Sequence, residues 1–361
     1  MTIQVQVTPL AGEQTVDDVL ATAGIDPGTG RAVDRWRRSG GVQERVVLTA
    51  EQDGSALGAA MLVSRPGTAS STLNGWLSCG DAAARTLDAL LAAAEDAAWG
   101  RGSILLKVAV DADDDLSPSV LTDRGFTALP DPHVPSPFPH DSADIPRGFV
   151  RHREGTPVPT MGYMRQTTEF TCGPVAVSMG MAHLGLAPAP DRATEIGLWR
   201  EATLIGACDP YGLALATATR AVPTRVVIST RGPILLEDVT QNASTTELRS
   251  AIQADFAVRA VEAGVEVEHR RFAVEEIGRL VAAGAVVTVL IDQSPMHADA
   301  DPHWIVVHGA LGEVLLANDP WTDEYLGETW VDGTDVAIPP DLMDRLAGYG
   351  DPRYRAMVVL G

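Results

Sequence analysis

One cysteine of the sequence lies where a reactive thiol is expected, at the point where a loop turns into a helix. Cys172 is followed by Gly173 and Pro174 and then by an apolar run that includes Met179 and Leu184. Proline is favoured in a first helical turn, because its missing N–H has no partner to lose there. Unpaired N–H groups and the positive end of the helix dipole favour a thiolate at that place. The pattern predicts a nucleophile, and a buried structural thiol is the alternative interpretation.

A glutamine and a histidine–carboxylate pair are the partners that such a thiol needs. Gln166 precedes Cys172 by one short loop, where its amide could point at an oxyanion formed beside the sulfur. His303 and Asp319 come at the two ends of a predicted hairpin. A carboxylate beside an imidazole holds the ring in one tautomer and one orientation, as a general base requires.

The hairpin is predicted from two apolar runs on either side of a glycine-containing turn, at 304–307 and 314–317. A hairpin centred near Leu311 places His303 directly opposite Asp319, with Cβ atoms about 5 Å apart. A slip of one residue would bring Asn318 into that place, and an amide can also orient a histidine. The alternative is that the Asp-Pro dipeptide only ends a strand with a turn.

Length, charge and cysteine content narrow the class of protein. The 361 residues are enough for two domains, and the chain is 45% hydrophobic and 21% charged, as in globular proteins. A formal net charge of −21 disfavours nucleic acid and anionic membranes as partners. Three cysteines far apart in the sequence predict no disulfide framework. Because the sequence also has no signal peptide and no long apolar run, we expect a cytoplasmic protein.

The first half of the chain predicts a mixed fold, with helices at 15–24, 31–38, 81–99 and 117–124 and strands at 45–50, 58–63, 70–77, 104–110 and 148–151. This order, followed by Arg124-Gly125-Phe126, resembles the GNAT acetyltransferase fold over roughly residues 1–153. That family cradles the pyrophosphate of acetyl-CoA in a glycine-rich turn with a basic residue. The corresponding segment 76–82 lacks both features and contains Asp81. We therefore expect a GNAT-like domain that does not bind acetyl-CoA well.

Prolines crowd residues 130–159 and predict an extended connector, with a domain boundary near Gly155. The predicted domains are thus 1–155 and 156–361. The second has helices first, at 172–184, 191–202, 244–263 and 273–283, and then strands at 286–291, 304–307, 314–317 and 357–360. Helices followed by antiparallel strands are typical of an α+β fold.

The second half resembles the papain-like bacteriocin-processing peptidases, which cleave leader peptides, often after a double glycine. The resemblance rests on Gln166 with Cys172-Gly173-Pro174, on His303 at a strand start and on Asp319-Pro320 at a strand end. It implies that Cys172 is the nucleophile, His303 the general base and then acid, Asp319 the residue that orients the imidazole, and Gln166 the oxyanion donor. Segments 199–202 and 211–214 also resemble a stand-alone bacterial branch in which an acetyltransferase-like domain precedes the peptidase-like one.

Other residues of the second half could line or complete the site. Predicted substrate-binding residues are Gly173, Asp209, Tyr211 and Trp304. Cys208 is the other thiol of this half, but Asp209 beside it disfavours a thiolate. His297, in a loop at 294–302, and His308 are alternatives to His303. No C-x-x-C or H-x-x-x-H spacing is present, so no metal and no cofactor is predicted.

Three functions follow from this set of residues. If water resolves an acyl-enzyme, the protein is a cysteine peptidase or amidase acting on a peptide or small amide. If an amine resolves it, the same residues make an acyltransferase or amide-forming enzyme, for example in peptide natural-product biosynthesis. A catalytically silent peptide-binding module is the third alternative.

Overall fold

The computed structural model describes residues 2–38, 41–78, 83–111, 119–133, 145–154, 159–236, 243–297 and 299–361. Two seven-stranded sheets organise it, one built from each half of the chain, which confirms the α+β class. The strands are β1 (Gln4–Pro9), β2 (Glu44–Gln52), β3 (Ser55–Ser64), β4 (Ser70–Ser78), β5 (Leu105–Val110), β6 (Thr127–Ala128), β7 (Arg147–His152), β8 (Thr224–Ile228), β9 (Glu266–His269), β10 (Val286–Asp292), β11 (Pro302–Leu311), β12 (Val314–Asn318), β13 (Val336–Ile338) and β14 (Ala356–Leu360).

The helices lie on both faces of each sheet. They are α1 (Val16–Thr22), α2 (Arg31–Arg38), α3 (Ala83–Gly100), α4 (Ser119–Thr122), α5 (Cys172–His183), α6 (Arg192–Ala202), α7 (Pro210–Ala218), α8 (Ala243–Glu262), α9 (Val274–Ala282), α10 (Trp330–Gly333) and α11 (Pro340–Leu346). Within the residues that the structure describes, no helix has the length and apolar character needed to cross a bilayer.

The first sheet has the strand order β1-β2-β3-β4-β5-β7-β6, with only β4 and β5 parallel. Apolar residues of α3 cover one face and those of α1 and α2 cover the other. The predicted β2–β3 hairpin is confirmed, and its turn residues Asp53 and Gly54 both have positive φ. The segment 79–82, on which the prediction about acetyl-CoA depends, lies outside the described residues.

The second sheet has the order β13-β12-β11-β10-β14-β8-β9 and carries α5 and α7 on one face and α9 and α11 on the other. Its central strands read as continuous apolar runs, which is why the sequence predicts them. The sequence does not predict five strands of the two sheets, namely β1, β6, β8, β9 and β13. They are short or lie toward the sheet edges, where an apolar pattern is weak.

The β11–β12 hairpin forms, but its predicted register is wrong. Val306 pairs with Asn318, so His303 is not directly opposite Asp319. The turn lies one to two residues later than predicted, because Gly312 takes the left-handed conformation with φ 60°. A bulge between Val307 and Gly309 then shifts the pairing back by one residue, which removes only part of the displacement. The displacement leaves His303 and Asp319 in diagonal rather than opposed positions.

The two sheets share an apolar core and a set of hydrogen bonds. Leu105 and Val150 of the first half belong to the same buried cluster as Trp330 of the second. Lys107 of β5 is 1% exposed, and its Nζ donates to the carbonyls of Asp332 and Thr334 at 3.0 and 2.6 Å. The first sheet therefore packs directly against the residues that follow β12.

The close packing of α7 against the end of α6 in the second half can be tested by mutation. A Cβ placed on Gly212 would lie 1.9 Å from the carbonyl oxygen of Ala202. We expect Gly212→Ala to lower the free energy of unfolding by about 1–3 kcal/mol, because the two helices must separate. Gly197 in α6 has no atom within 4 Å of such a Cβ, so Gly197→Ala should be neutral or stabilise by up to about 1 kcal/mol. Urea unfolding of both variants is the measurement, and equal effects would contradict the packing.

Candidate active site

Helix α5 begins at Cys172, as the sequence predicts. The residue before it, Thr171, accepts the first helical hydrogen bond from Val175 through its carbonyl, at 3.1 Å. Cys172 itself is 4% exposed. A Cβ on Gly173 would lie 2.9 Å from Leu213 and 3.1 Å from Trp304, so glycine is what lets the helix start this close to α7 and β11. The thiol is thus held at a helix N-terminus against the central sheet.

His303 and Asp319 are in direct contact despite the altered register. His303 Nε2 lies 2.6 Å from Asp319 Oδ1, and both side chains are almost completely buried. The other ring nitrogen, Nδ1, is not used in this contact, and Cys172 is near enough to the ring to help raise the pKa of His303. The structure therefore brings Cys172, His303 and Asp319 into one region, with His303 and Asp319 in direct contact.

The carboxylate of Asp319 is shared among several donors. Its Oδ1 also accepts from the backbone N–H of Trp321 at 2.9 Å. Its Oδ2 lies 3.2 Å from His297 Nε2 and 2.6 Å from Nη1 of Arg65. His297 is therefore a second imidazole on the same carboxylate. Asn318, by contrast, bonds to the backbone of Met161 and Asp335 and does not orient His303.

These contacts shift the protonation of both groups. Burial favours a neutral ring at His303, but attraction to Asp319 and Cys172 outweighs it and raises the pKa to about 10. Burial also opposes ionisation of Asp319, yet the charges of His303 and Arg65 hold the pKa of that carboxyl well below its usual range. At neutral pH the pair is therefore an imidazolium beside a carboxylate.

Gln166 lies in the loop before α5, where the sequence predicts an oxyanion donor. Its backbone N–H donates to the carbonyl of Pro320 at 2.9 Å, which ties the loop to the residue after Asp319. Its amide Nε2 donates to Thr168 O at 2.8 Å. A primary amide has two N–H donors, so one of them remains available.

Glu195 is a residue of this region that our sequence interpretation missed. It is fully buried on α6 and accepts from the N–H and hydroxyl of Thr167, both at 2.7 Å, and from the hydroxyl of Thr171. One carboxylate thereby anchors the loop between Gln166 and Cys172. Its spacing could have indicated burial, because Glu195 lies on the same helix face as the apolar residues Leu198 and Ala202.

The predicted substrate-binding residues each have an intramolecular contact. Asp209 caps α7 through bonds from the N–H groups of Tyr211 and Gly212, and burial raises its pKa to about 6 against those bonds. Trp304 donates from Nε1 to the carbonyl of Cys208 at 3.0 Å. Burial, and then the charges of Cys172 and Asp209, hold the pKa of the Cys208 thiol well above its usual value. Substrate contact by Gly173, Asp209, Tyr211 and Trp304 remains a prediction.

His308 occupies the bulge of β11 and faces a different group. Its Nε2 is 3.0 Å from Asp335 Oδ1, and its ring centre is 5.7 Å from that of His183, the last residue of α5.

Across the described parts of the chain, no three histidine, cysteine or acidic side chains are grouped as metal ligands.

Comparisons with known proteins bear on each half of the chain. A family model described as "Peptidase_C39 like family" matches residues 161–361. No curated protein matches the sequence. The resemblance of the second half to this peptidase group, drawn from Gln166, Cys172, His303 and Asp319, is therefore confirmed at the level of the family.

Solved acetyltransferases are similar to the first half at low identity. The ribosomal-protein-S18-alanine N-acetyltransferase of Escherichia coli is 16% identical, with 43% of this chain and 97% of that one covered and a TM-score of 0.32. The IAA acetyltransferase of Bacillus cereus is 17% identical, with 41% and 99% covered and a TM-score of 0.30. TM-scores this low carry no conclusion about activity.

The anchoring of the loop before α5 by Glu195 gives a prediction. In Glu195→Gln, three donors would face a side chain with one acceptor oxygen, and we expect the free energy of unfolding to fall by about 1–3 kcal/mol. Glu201→Gln on the same helix is the matched control, since Glu201 pairs with Arg220 in an exposed salt bridge. That control should change stability by less than about 0.5 kcal/mol. Denaturant unfolding decides, and a Glu195→Gln variant as stable as the control would contradict the anchoring role.

Proposed function

Because the chain belongs to the Peptidase_C39 like family, we propose that it performs thiol-dependent acyl chemistry on a peptide or small amide. Cys172 is the nucleophile, His303 the general base and acid, Asp319 the residue that orients the imidazole, and Gln166 the oxyanion donor. The observation that carries this proposal is the 2.6 Å contact between His303 Nε2 and Asp319, which leaves Nδ1 for Cys172. Peptidase or amidase activity is the primary assignment.

The proposed reaction uses only groups of this chain. The Cys172 thiolate attacks the carbonyl carbon, and the oxyanion that forms is held by the free N–H of Gln166 and by backbone N–H groups at the start of α5. The C–N bond then breaks as His303 gives its Nδ1 proton to the leaving amine. Water attacks the resulting thioester, His303 takes one of its protons, and the carboxylic acid leaves while the imidazolium–thiolate pair is restored.

Transfer to an amine is the second candidate function, and the burial of the site favours considering it. Cys172 and His303 are each 4% exposed, and Gln166 is 2% exposed. An acyl-enzyme formed in so enclosed a place meets little water, so an amine held beside it can take the acyl group instead. The two reactions share every step up to the thioester.

Reactivity of the thiol tests the enzyme assignment against a silent binding module. We expect iodoacetamide near pH 7 to alkylate Cys172 about tenfold faster or more in the wild type than in His303→Ala, since an unperturbed thiol is only a few per cent ionised there. Peptide mass spectrometry gives the rate at each cysteine. Cys208→Ser is the control, and it should leave the rate at Cys172 unchanged.

An equal rate at Cys172 in the wild type and in His303→Ala would reject the activated thiolate. The chain would then be a peptide-binding module without acyl chemistry.

The fate of the acyl group separates hydrolysis from transfer. We expect p-nitrophenyl acetate to release p-nitrophenol with Cys172 acetylated, and we expect Cys172→Ala to show neither change. Adding glycinamide should leave free acetate as the product if water resolves the thioester, and should give N-acetylglycinamide if the site selects amines. Liquid chromatography with mass spectrometry measures both products. Acetylation that persists in Cys172→Ala would contradict the assignment of the nucleophile.

A further inference from the structure

Arg65 belongs to the first half of the chain, yet its side chain ends in the candidate active site. It directly follows β3 and is 5% exposed. Its Nη1 lies 2.6 Å from Asp319 Oδ2. Its Nε and Nη2 lie 2.9 and 2.8 Å from the two carboxylate oxygens of Glu328, and Nη2 also donates to the carbonyl of Trp321 at 3.1 Å. Each of these bonds joins residues that are more than 250 positions apart in the sequence.

We propose that Arg65 is a positioning residue of the active site, which the first domain supplies to complete the cysteine, histidine and aspartate of the second. The inference rests on the proposed function of Cys172, His303 and Asp319. Arg65 acts through Asp319 and does not touch the thiol chemistry itself. It also lies outside residues 161–361, the part that matches the peptidase family.

The geometry explains what Arg65 adds. A carboxylate is planar, so holding Oδ2 of Asp319 sets the direction in which Oδ1 points, and Oδ1 is the atom that contacts His303. The guanidinium is itself fixed by its two-point bond to Glu328. Such paired N–H···O bonds give strict orientation, which a lysine ammonium cannot reproduce.

The charges of the surroundings show why this position needs a cation. Asp319 and Glu328 are both buried and both bound to the same guanidinium, so they lie close together. Without Arg65 the two carboxylates would repel each other and one would take up a proton. The other titratable groups that face this cluster are His297, His303, Asp332, Tyr163 and Lys107.

Other hydrogen bonds between the described residues of the two halves do not reach the carboxylate of Asp319, although Gln43 donates to Glu328 at 3.2 Å. Lys107 and Ala69 bond to backbone carbonyls of the second half, and Trp330 donates to the carbonyl of Pro146 in the first. In the part of the first half that the structure describes, Arg65 is the side chain with a bond to Asp319. Its role can therefore be separated from general adhesion between the domains.

The test is the pH dependence of iodoacetamide alkylation at Cys172 in the full chain, measured by mass spectrometry between pH 4 and 9. In Arg65→Gln we expect the acid limb of the profile to move up by about one pH unit or more, because an adjacent arginine lowers a carboxyl pKa by roughly one to three units. Protonation of Asp319 then removes the partner of the imidazolium at a higher pH. Arg65→Lys keeps the positive charge but loses the paired N–H donors of the guanidinium. Its acid limb should therefore lie at a pH between those of Arg65→Gln and the wild type.

Arg35→Gln is the matched control. Arg35 is a similarly buried arginine of the first half that binds both oxygens of Asp111, at 2.6 and 2.7 Å, so its loss also breaks a buried ion pair. The pH profile of Cys172 alkylation in Arg35→Gln should coincide with that of the wild type. An Arg65→Gln profile with an unmoved acid limb would overturn the role of Arg65, while a wild-type Cys172 no faster than in His303→Ala would instead reject the proposed function.

Loss of folding in Arg65→Gln does not end the test. The double variant Arg65→Gln/Glu328→Gln removes both members of the buried pair, which proteins tolerate better than the loss of one. Asp319 still lacks its guanidinium in that variant, so the acid limb is again expected at higher pH. A wild-type acid limb in the folded double variant would overturn the inference.

Discussion

The carboxylate of Asp319 has to remain ionised in a place that water barely reaches, and much of the chain is arranged around that requirement. At 1% exposure it has lost nearly all of its hydration. The penalty for burying an unpaired ion is several kcal/mol, so donors from the protein must replace the water. Four do so, from His303, His297, Trp321 and Arg65. They come from three parts of the chain, namely the turn that contains Asp319 itself, the residues between β10 and β11 with the start of β11, and the end of β3 in the first half, so this charge depends on packing between both halves.

The junction between the two sheets follows from the same requirement. The segment after β12 carries Asp319 and Glu328 and then runs along the first sheet through Asp332 and Thr334. Arg65 and Lys107 bring positive charge to it from β3 and β5. The first domain therefore contributes two cations, Arg65 and Lys107, to the segment that carries Asp319.

Polar side chains hold the loop before α5 in a similar way. Glu195 binds two threonines of that loop, and Gln166 is tied by its backbone to Pro320, next to Asp319. The segments that carry Cys172 and Asp319 are thus tied together by the main chain as well as by side chains. Such a network fixes the loop that leads into α5 and therefore the position of Cys172, and the proposed acyl chemistry depends on that position.

Local sequence signals determined a large part of this protein. Apolar periodicity and capping residues predict most helices and the central strands, and glycine and proline after Cys172 place that residue at the start of a helix, because these effects act over a few neighbouring residues. Spacing alone failed at the β11–β12 register, where Gly312 and the bulge at His308 change the pairing without any apolar signal. It also missed Glu195 and Arg65, whose partners lie far along the chain. A buried ion pair is set by which segments meet in space, so only the tertiary structure could decide that an arginine of the first sheet binds the aspartate of the second.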